Sequence, residues 1–360
     1  MSIKELSLRS KINNYKVVFH DNADFLAVLF AQPNTVCLVD ANVWRIYKKT
    51  LLRGLNKDNL IIVPIGEEKK NLLTVQYIYR QLLKKKAKKN LCLVIIGGGI
   101  LQDLAGFVAS TIYRGISWIF VPTTMLAQTD SCIGAKTSLN FDKYKNIVGT
   151  FFPPQEIHLY SGWLKTLRSV DYLSGLGESA KLHLMGGVGL TRKIAIALPS
   201  LLNRDLKAIS PIIVNSLLIK KDYIEEDEFD RGRRNLLNYG HCFGHALETA
   251  TNYKIPHGLA VVLGMIMANQ VAVTRGSLKR ETAEQIDRDI LLPILNKRIK
   301  LGELNVKAVI NAMLQDKKRI GTNLPLVMLV DNDRLIKVDD LTKNEVTSVI
   351  KWLNRTEVLK

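Results

Sequence analysis

The chain has 360 residues, 47% hydrophobic and 23% charged, an ordinary composition for a globular protein and enough length for two cores. Its four cysteines, Cys37, Cys92, Cys132 and Cys242, include no C-x-x-C pair, which argues against a disulfide framework and a zinc ribbon. The formal charge of +18 reads as solubility and attraction for small anions, because its densest run, Lys84–Lys89, closes a helical pattern and has no interleaved aromatic residues.

No nucleic-acid partner is therefore expected. The first residues carry no apolar signal segment, and the apolar run Leu259–Val273 is interrupted by Asn269 and Gln270, so no membrane partner is expected and the reducing cytoplasm is the predicted setting. In chain order, strand signals fall at Lys16–Phe19, Thr35–Val39, Leu60–Pro64, Leu91–Ile96 and Trp118–Pro122. Helical periodicity lies between them at Ala23–Ala31, Val43–Leu55, Leu72–Lys86 and Leu101–Tyr113. Short apolar strands separated by helices predict an α/β domain with a parallel sheet covered on both faces. From Gly162 the texture changes. Amphipathic segments follow at Tyr172–Met185, Leu190–Leu202, Leu206–Ile224, Arg234–Thr251, Gly258–Thr274, Glu281–Lys297 and Val306–Gln315, with one strand signal at Leu326–Leu329. The predicted division is residues 1–161 for the α/β domain and 162–360 for a mostly α-helical domain.

Candidate chemistry recurs along this frame. Asp40 and Asn42 follow the second strand, where ribose hydroxyls are often bound, although the same pattern caps a helix. Gly97-Gly98-Gly99 follows a strand and opens a helix, so its backbone N–H groups can approach a phosphate; it is not the G-x-G-x-x-G fingerprint. Thr123, Thr124, Asp130, Lys136, Lys145 and Asn146 gather hydroxyls, lysines and an amide in a segment otherwise poor in charge, which suits an anion pocket. Glu178 and Lys181 stand three apart on one helix face, the spacing of an ordinary ion pair.

The densest signal is Arg234, Asn238, His241 and His245 among Leu236, Leu237, Phe243 and Leu247, read as one largely buried helix, with His257 twelve residues on. Burying so many polar groups costs several kcal/mol unless a metal, an anion or a substrate satisfies them. The segment reads as an active site. Glu178, His241 and His257 are the best candidate metal ligands, since one carboxylate and two imidazoles suit Zn²⁺ with positions left open. His241 with His245 is the competing set, and spacing leaves both open.

These pieces, in this order, resemble the 3-dehydroquinate synthase family. The resemblance runs from Asp40 to Gly321 and rests on specific motifs. They are GEEKK at Gly66–Lys70, GGGILQDLAGFVASTIYRG at Gly97–Gly115, VPTTMLAQTDS at Val121–Ser131, KTSLN from Lys136 with KN ending at Asn146, GLGESAK at Gly175–Lys181, RNLLNYGHCFGH at Arg234–His245, PHG at Pro256–Gly258 and DKK at Asp316–Lys318.

The resemblance implies a Rossmann-like N-terminal domain, a helical C-terminal domain, and NAD⁺ and Zn²⁺ as cofactors, with Co²⁺ as an alternative ion. It implies Glu178, His241 and His257 as metal ligands. It places Asp40, Asn42, Glu67, Lys70, Gly98, Gly99, Asp103, Thr123, Thr124, Lys145 and Thr166 at NAD positions. Asp130, Lys136, Asn146, Lys181, Lys220, Arg234, Asn238, His245 and one of Lys317 and Lys318 fall at substrate positions. Arg114 matches an arginine that the family supplies from the partner subunit, so a homodimer is implied.

The implied activity is phosphate-eliminating ring closure of 3-deoxy-D-arabino-heptulosonate 7-phosphate to 3-dehydroquinate, by NAD-dependent oxidation, elimination, re-reduction and intramolecular aldol closure. A sister sugar phosphate cyclase is the alternative reading, and a non-catalytic binding protein on the same scaffold is the alternative of another class. Four departures from the family pattern stand out: Ala135 where a second glycine is usual, Tyr144 where a glycine is usual, Gly177 where an alanine is usual, and no aspartate in Leu159-Tyr160-Ser161-Gly162, where one commonly precedes Trp163-Leu164.

Overall fold

The computed structural model describes residues 3–142, 144–295, 302–315 and 324–356. Lys317 and Lys318 lie outside the described residues. The chain forms two compact units, Met1–Leu167 with Ile224–Phe229, and Arg168–Tyr223 with Asp230–Lys360.

In chain order the first unit contains β1 (Glu5–Leu8), β2 (Tyr15–Phe19), α1 (Phe25–Ala31), β3 (Thr35–Asp40), α2 (Ala41–Tyr47), β4 (Leu60–Val63), α3 (Leu72–Lys84), β5 (Cys92–Gly97), α4 (Gly99–Thr111), β6 (Ser117–Pro122), β7 (Lys136–Phe141), β8 (Tyr144–Phe151) and β9 (Glu156–Leu159). Seven strands form one sheet in the order β1-β2-β9-β6-β5-β3-β4. β3, β5 and β6 are buried along nearly their whole length, as the apolar runs VCLV, LVII and WIFV require of strands covered on both faces. On one face Cys37, Val39, Val94, Ile96, Ile119 and Val121 pack against Phe25, Leu29, Val43 and Trp163. Because Trp163 belongs to this core, the first unit continues through the short 3₁₀ helix Ser161–Thr166.

The sheet is parallel as expected, with β1 added antiparallel to β2 at its edge. The helix predicted over Val43–Leu55 spans Ala41–Tyr47, and turns follow it. β7 and β8, which gave no strand signal, form a separate antiparallel hairpin.

The second unit is built on α5 (Ser169–Met185), α6 (Val188–Leu202), α7 (Leu206–Glu226, whose residues from Ile224 on are assigned to the first unit), α8 (His241–Ala250), α9 (His257–Thr274), α10 (Arg280–Ile286), α11 (Leu292–Leu295) and α12 (Val306–Leu314). A hairpin of β10 (Leu324–Val330) and β11 (Arg334–Leu341) follows, then α13 (Lys343–Arg355), which opens with a Thr342/Glu345 capping box. β11 and α13 were not predicted. Their polar faces blur the apolar periods, whereas β10 is buried on both faces.

The predicted helix Arg234–Thr251 is also corrected. A 3₁₀ turn covers Arg233–Asn238, Gly240 takes φ +78°, and α8 starts at His241. A β-carbon on Gly240 would lie 2.6 Å from the Val261 carbonyl oxygen, so close approach to α9 as well as the left-handed backbone calls for glycine there. α9 is apolar on all sides, with mean hydropathy 1.5, and 78% of it is buried inside the fold, the signature of a core helix.

Candidate active site

The first unit gathers its candidates at the C-terminal ends of β3, β5 and β6. Asp40 ends β3 and accepts a hydrogen bond from the Asn42 N–H at 2.7 Å, capping α2. Burial outweighs that bond and keeps its carboxyl above the usual range. At the end of β5, Gly98 abuts Thr124, whose Cγ2 would stand 2.8 Å from an added β-carbon, and α4 begins at Gly99. Thr123 N–H donates to the Gly97 carbonyl at 2.9 Å, and Thr124 Oγ1 accepts from Ala127 N–H at 3.2 Å. Thr166 shares a 2.6 Å hydrogen bond with the Tyr47 hydroxyl.

A second cluster joins residues that the sequence kept apart. Lys70 Nζ is 2.5 Å from Asp103 Oδ2 and donates to Asn146 Oδ1 at 2.6 Å. Ser138 Oγ lies 2.9 Å from both of those acceptors. Asn140 donates to Glu67 Oε1 at 2.9 Å and accepts from Asn146 N–H at 3.0 Å, while Lys145 stands 3.7 Å from Glu67. Burial, opposed by Lys70, holds the Asp103 carboxyl above its usual range. Ser138 and Asn140 were missed. They lie on one face of β7 with Lys136, while Thr137 and Leu139 are buried on the other, so polar alternation was the available signal.

Asp130 lies in the helical turn after β6, and Lys136 is exposed on β7. Ala135 takes φ +62°, a left-handed conformation that the family's usual glycine adopts without strain. Arg114 is exposed at φ +63° beyond the C-terminal end of α4, about 20 Å along that helix from Gly99. It therefore does not join the glycine turn.

In the second unit three helices converge through glycines. A β-carbon on Gly177 would lie 2.5 Å from the Gly258 carbonyl oxygen, and one on Gly258 would lie 1.8 Å from the Ser174 carbonyl oxygen. α5 and α9 therefore touch backbone to backbone, and the neighbouring Glu178 and His257 meet. The departure from alanine at position 177 has a packing reason. At Gly264 a β-carbon would lie 1.9 Å from the Gly240 carbonyl oxygen, which seats the start of α8, and so His241, against α9.

The resulting cluster is compact. Glu178 Oε1 is 3.2 Å from His257 Nε2 and 3.6 Å from His241 Nε2, and Glu178 Oε2 is 2.6 Å from Lys181 Nζ. The side chains of Glu178 and Lys181 are 1% and 2% exposed, so this is a buried charge pair. Neither carboxylate oxygen of Glu178 receives a hydrogen bond of ordinary geometry among the described residues. Burial disfavours its charge, but Lys181 and His257 override that and hold the carboxyl well below its usual range. His257 is itself raised, because Glu178 and Glu248 on either side outweigh burial.

Ligand atoms of His241, His245 and His257 lie within 4.8 Å of one another. Both candidate ligand sets are thus brought to one place: a carboxylate oxygen within 3.6 Å of two imidazole nitrogens, and a third imidazole beside them. That donor set fits a divalent transition ion.

Asn238, His241 and His245 also line a pocket of about 60 Å³, together with Cys242 and Lys337, which sequence reasoning had passed over. Arg234 and Lys220 are buried cations of the same unit, 4% and 7% exposed. Glu248, also missed, hydrogen-bonds His257. It stands seven residues after His241, a helical spacing that was visible in the sequence.

Comparison with known proteins extends this picture. Residues 60–174 match the family model described as 3-dehydroquinate synthase N-terminal, and residues 175–319 match 3-dehydroquinate synthase C-terminal. The chain is 32% identical to the 3-dehydroquinate synthase of Campylobacter concisus, covering 96% of this chain and 98% of that protein. It is 31% identical to that of a Dehalococcoides mccartyi strain, covering 97% and 99%. Among solved structures, a 2-deoxy-scyllo-inosose synthase complexed with carbaglucose-6-phosphate, NAD⁺ and Co²⁺ aligns with TM-score 0.80 at 20% identity, over 97% of this chain and 99% of that one. The 2-epi-5-epi-valiolone synthase of Streptomyces hygroscopicus, with NAD⁺ and Zn²⁺ bound, aligns with TM-score 0.80 at 21% identity, over 97% and 98%. These two likenesses establish the fold.

Proposed function

Because this chain belongs to the 3-dehydroquinate synthase family, we propose that it is a 3-dehydroquinate synthase: a phosphate-eliminating lyase that closes 3-deoxy-D-arabino-heptulosonate 7-phosphate to 3-dehydroquinate. The observation that carries the reading is the convergence of the buried Glu178–Lys181 pair with the half-buried His241, His245 and His257 in one cluster. It is supported by identity to 3-dehydroquinate synthases over nearly the whole chain.

In this reading Glu178, His241 and His257 hold a divalent ion, Zn²⁺ or Co²⁺. Asp40, Asn42, the Gly98-Gly99 turn, Asp103, Thr123, Thr124 and Thr166 hold NAD⁺, with Glu67, Lys70 and Lys145 beside them. When bound, the nicotinamide supplies a reversible hydride acceptor and the ion a Lewis acid. The protein's own groups do the rest. His245, beside the two imidazole ligands, moves a proton at the reacting oxygen. Arg234, Asn238 and Lys220 bind and orient the carboxylated end of the substrate in charge-assisted bonds. Lys136 and Asn146 bind the phosphate with Asp130 nearby, and Arg114 is contributed across a homodimer. Lys181 neutralises Glu178. Four free thiols suit the reducing cytoplasm.

One alternative has a specific observation behind it. The two aligned structures with TM-score 0.80 are sister cyclases, and their substrates separate the readings. Purified protein with NAD⁺ and Zn²⁺ is supplied with the seven-carbon keto-acid phosphate or with sedoheptulose 7-phosphate, and phosphate release and ring product are followed. The proposal requires turnover of the carboxylated substrate with no net NADH. Turnover of the uncarboxylated one alone would make the chain a sister cyclase, and stoichiometric NADH would make it a dehydrogenase.

A further inference from the structure

Glu248 lies on the opposite side of His257 from Glu178. Its Oε2 is 3.1 Å from His257 Nδ1, while His257 Nε2 is 3.2 Å from Glu178 Oε1. Glu248 is buried, and on α8 it stands two turns beyond His241. His241 is held differently, with its Nδ1 3.2 Å from the backbone carbonyl of Tyr239. An imidazole whose Nδ1–H donates outward presents its Nε2 lone pair inward. α8 therefore supplies one inward-facing nitrogen itself. Through Glu248 it also selects which nitrogen of a ring on another helix faces inward. A neutral carbonyl orients a ring; a carboxylate orients it and makes it a stronger electron donor.

We propose that Glu248 is a positioning residue for the metal centre, fixing the Nδ1–H tautomer of His257 and tightening the hold on the divalent ion. The inference rests on the metal-site reading above. A purely structural brace between α8 and α9 predicts something else: loss of Glu248 would lower the metal-free melting temperature and leave metal affinity unchanged.

The test measures Zn²⁺ and Co²⁺ dissociation constants of the full chain by chelator competition, with the Co²⁺ absorption spectrum and metal-free melting alongside. Glu248→Gln should weaken both metals about 10–100-fold and shift the Co²⁺ bands. In a His257→Ala background, which keeps Glu178, His241 and His245, the same change should add no further loss. Wild-type affinity in Glu248→Gln, or an equal loss with and without His257, overturns the proposal and leaves the metal site standing. Failure of the wild-type protein to bind either metal overturns the metal site and the proposal with it. Should the glutamine variant not fold, Glu248→Asp completes the same cycle.

Discussion

The two polar clusters handle their charges in opposite ways. In the first unit, Lys70, Asp103, Ser138, Asn140 and Asn146 form a chain of hydrogen bonds in which several oxygens find donors. In the second unit, the Glu178 carboxylate is more deeply buried, receives no ordinary hydrogen bond and faces two imidazole nitrogens. A network that satisfies itself holds a shape. A buried carboxylate needs cations beside it, here Lys181 and a raised His257. The first cluster is thus a hydrogen-bonded cradle, and the second a set of paired charges.

The largest expected effect tests this contrast directly. Glu178→Gln breaks the buried Glu178–Lys181 charge pair and should cost about 3–5 kcal/mol in urea unfolding. Asp103→Asn should cost clearly less, because Lys70 keeps Asn146 as a partner. Equal losses would show that the two clusters are energetically alike.

Next comes Arg234→Lys. A lysine cannot reproduce bidentate pairing, so binding of the carboxylated substrate should weaken by roughly 2–4 kcal/mol, while an uncarboxylated analogue should bind nearly as before. Comparable losses for both in titration calorimetry would move Arg234 from substrate recognition to support of the adjoining helix.

A third test uses another orphaned atom of the second unit. Asp287 Oδ1 is buried without a hydrogen bond among the described residues, and burial, helped by Glu284, pushes its carboxyl up to about 7. A raised acid favours the folded state below its unfolded pKa and loses that contribution as pH rises, so Asp287 should lower stability progressively between about pH 4 and 7. Asp287→Asn should flatten that window and raise stability at pH 8 by about 2–3 kcal/mol, less than the roughly 4 kcal/mol that a three-unit shift carries at complete burial. Unfolding free energies across that range decide it, and a variant with the wild-type pH profile would exclude Asp287 as the source.

The smallest effect belongs to the self-satisfied cluster. Ser138→Ala removes one donor while Asp103 keeps Lys70, so about 0.5–1.5 kcal/mol should be lost. A loss near that of Glu178→Gln would mean that the cradle has no redundancy.

What the sequence determined alone was set by short-range periodicity and by residue type. The alternation of apolar strands with helices in the first unit, the glycine turn after β5, and the family were all legible, because fully buried strands are written as unbroken apolar runs. Glu178, His241, His245 and His257 stood out as candidates too, since such groups are costly among apolar neighbours.

Tertiary structure decided the rest. The break at Gly240 depends on how closely α9 approaches, and no local period reports that distance. The same is true of the Gly177–Gly258 contact that brings Glu178 to His257. The bond from Lys70 to Asn146 spans 76 residues. Edge strand β1 and the β7–β8 hairpin owe their order to pairing partners, because a strand with a solvated face is stabilised mainly by its neighbours.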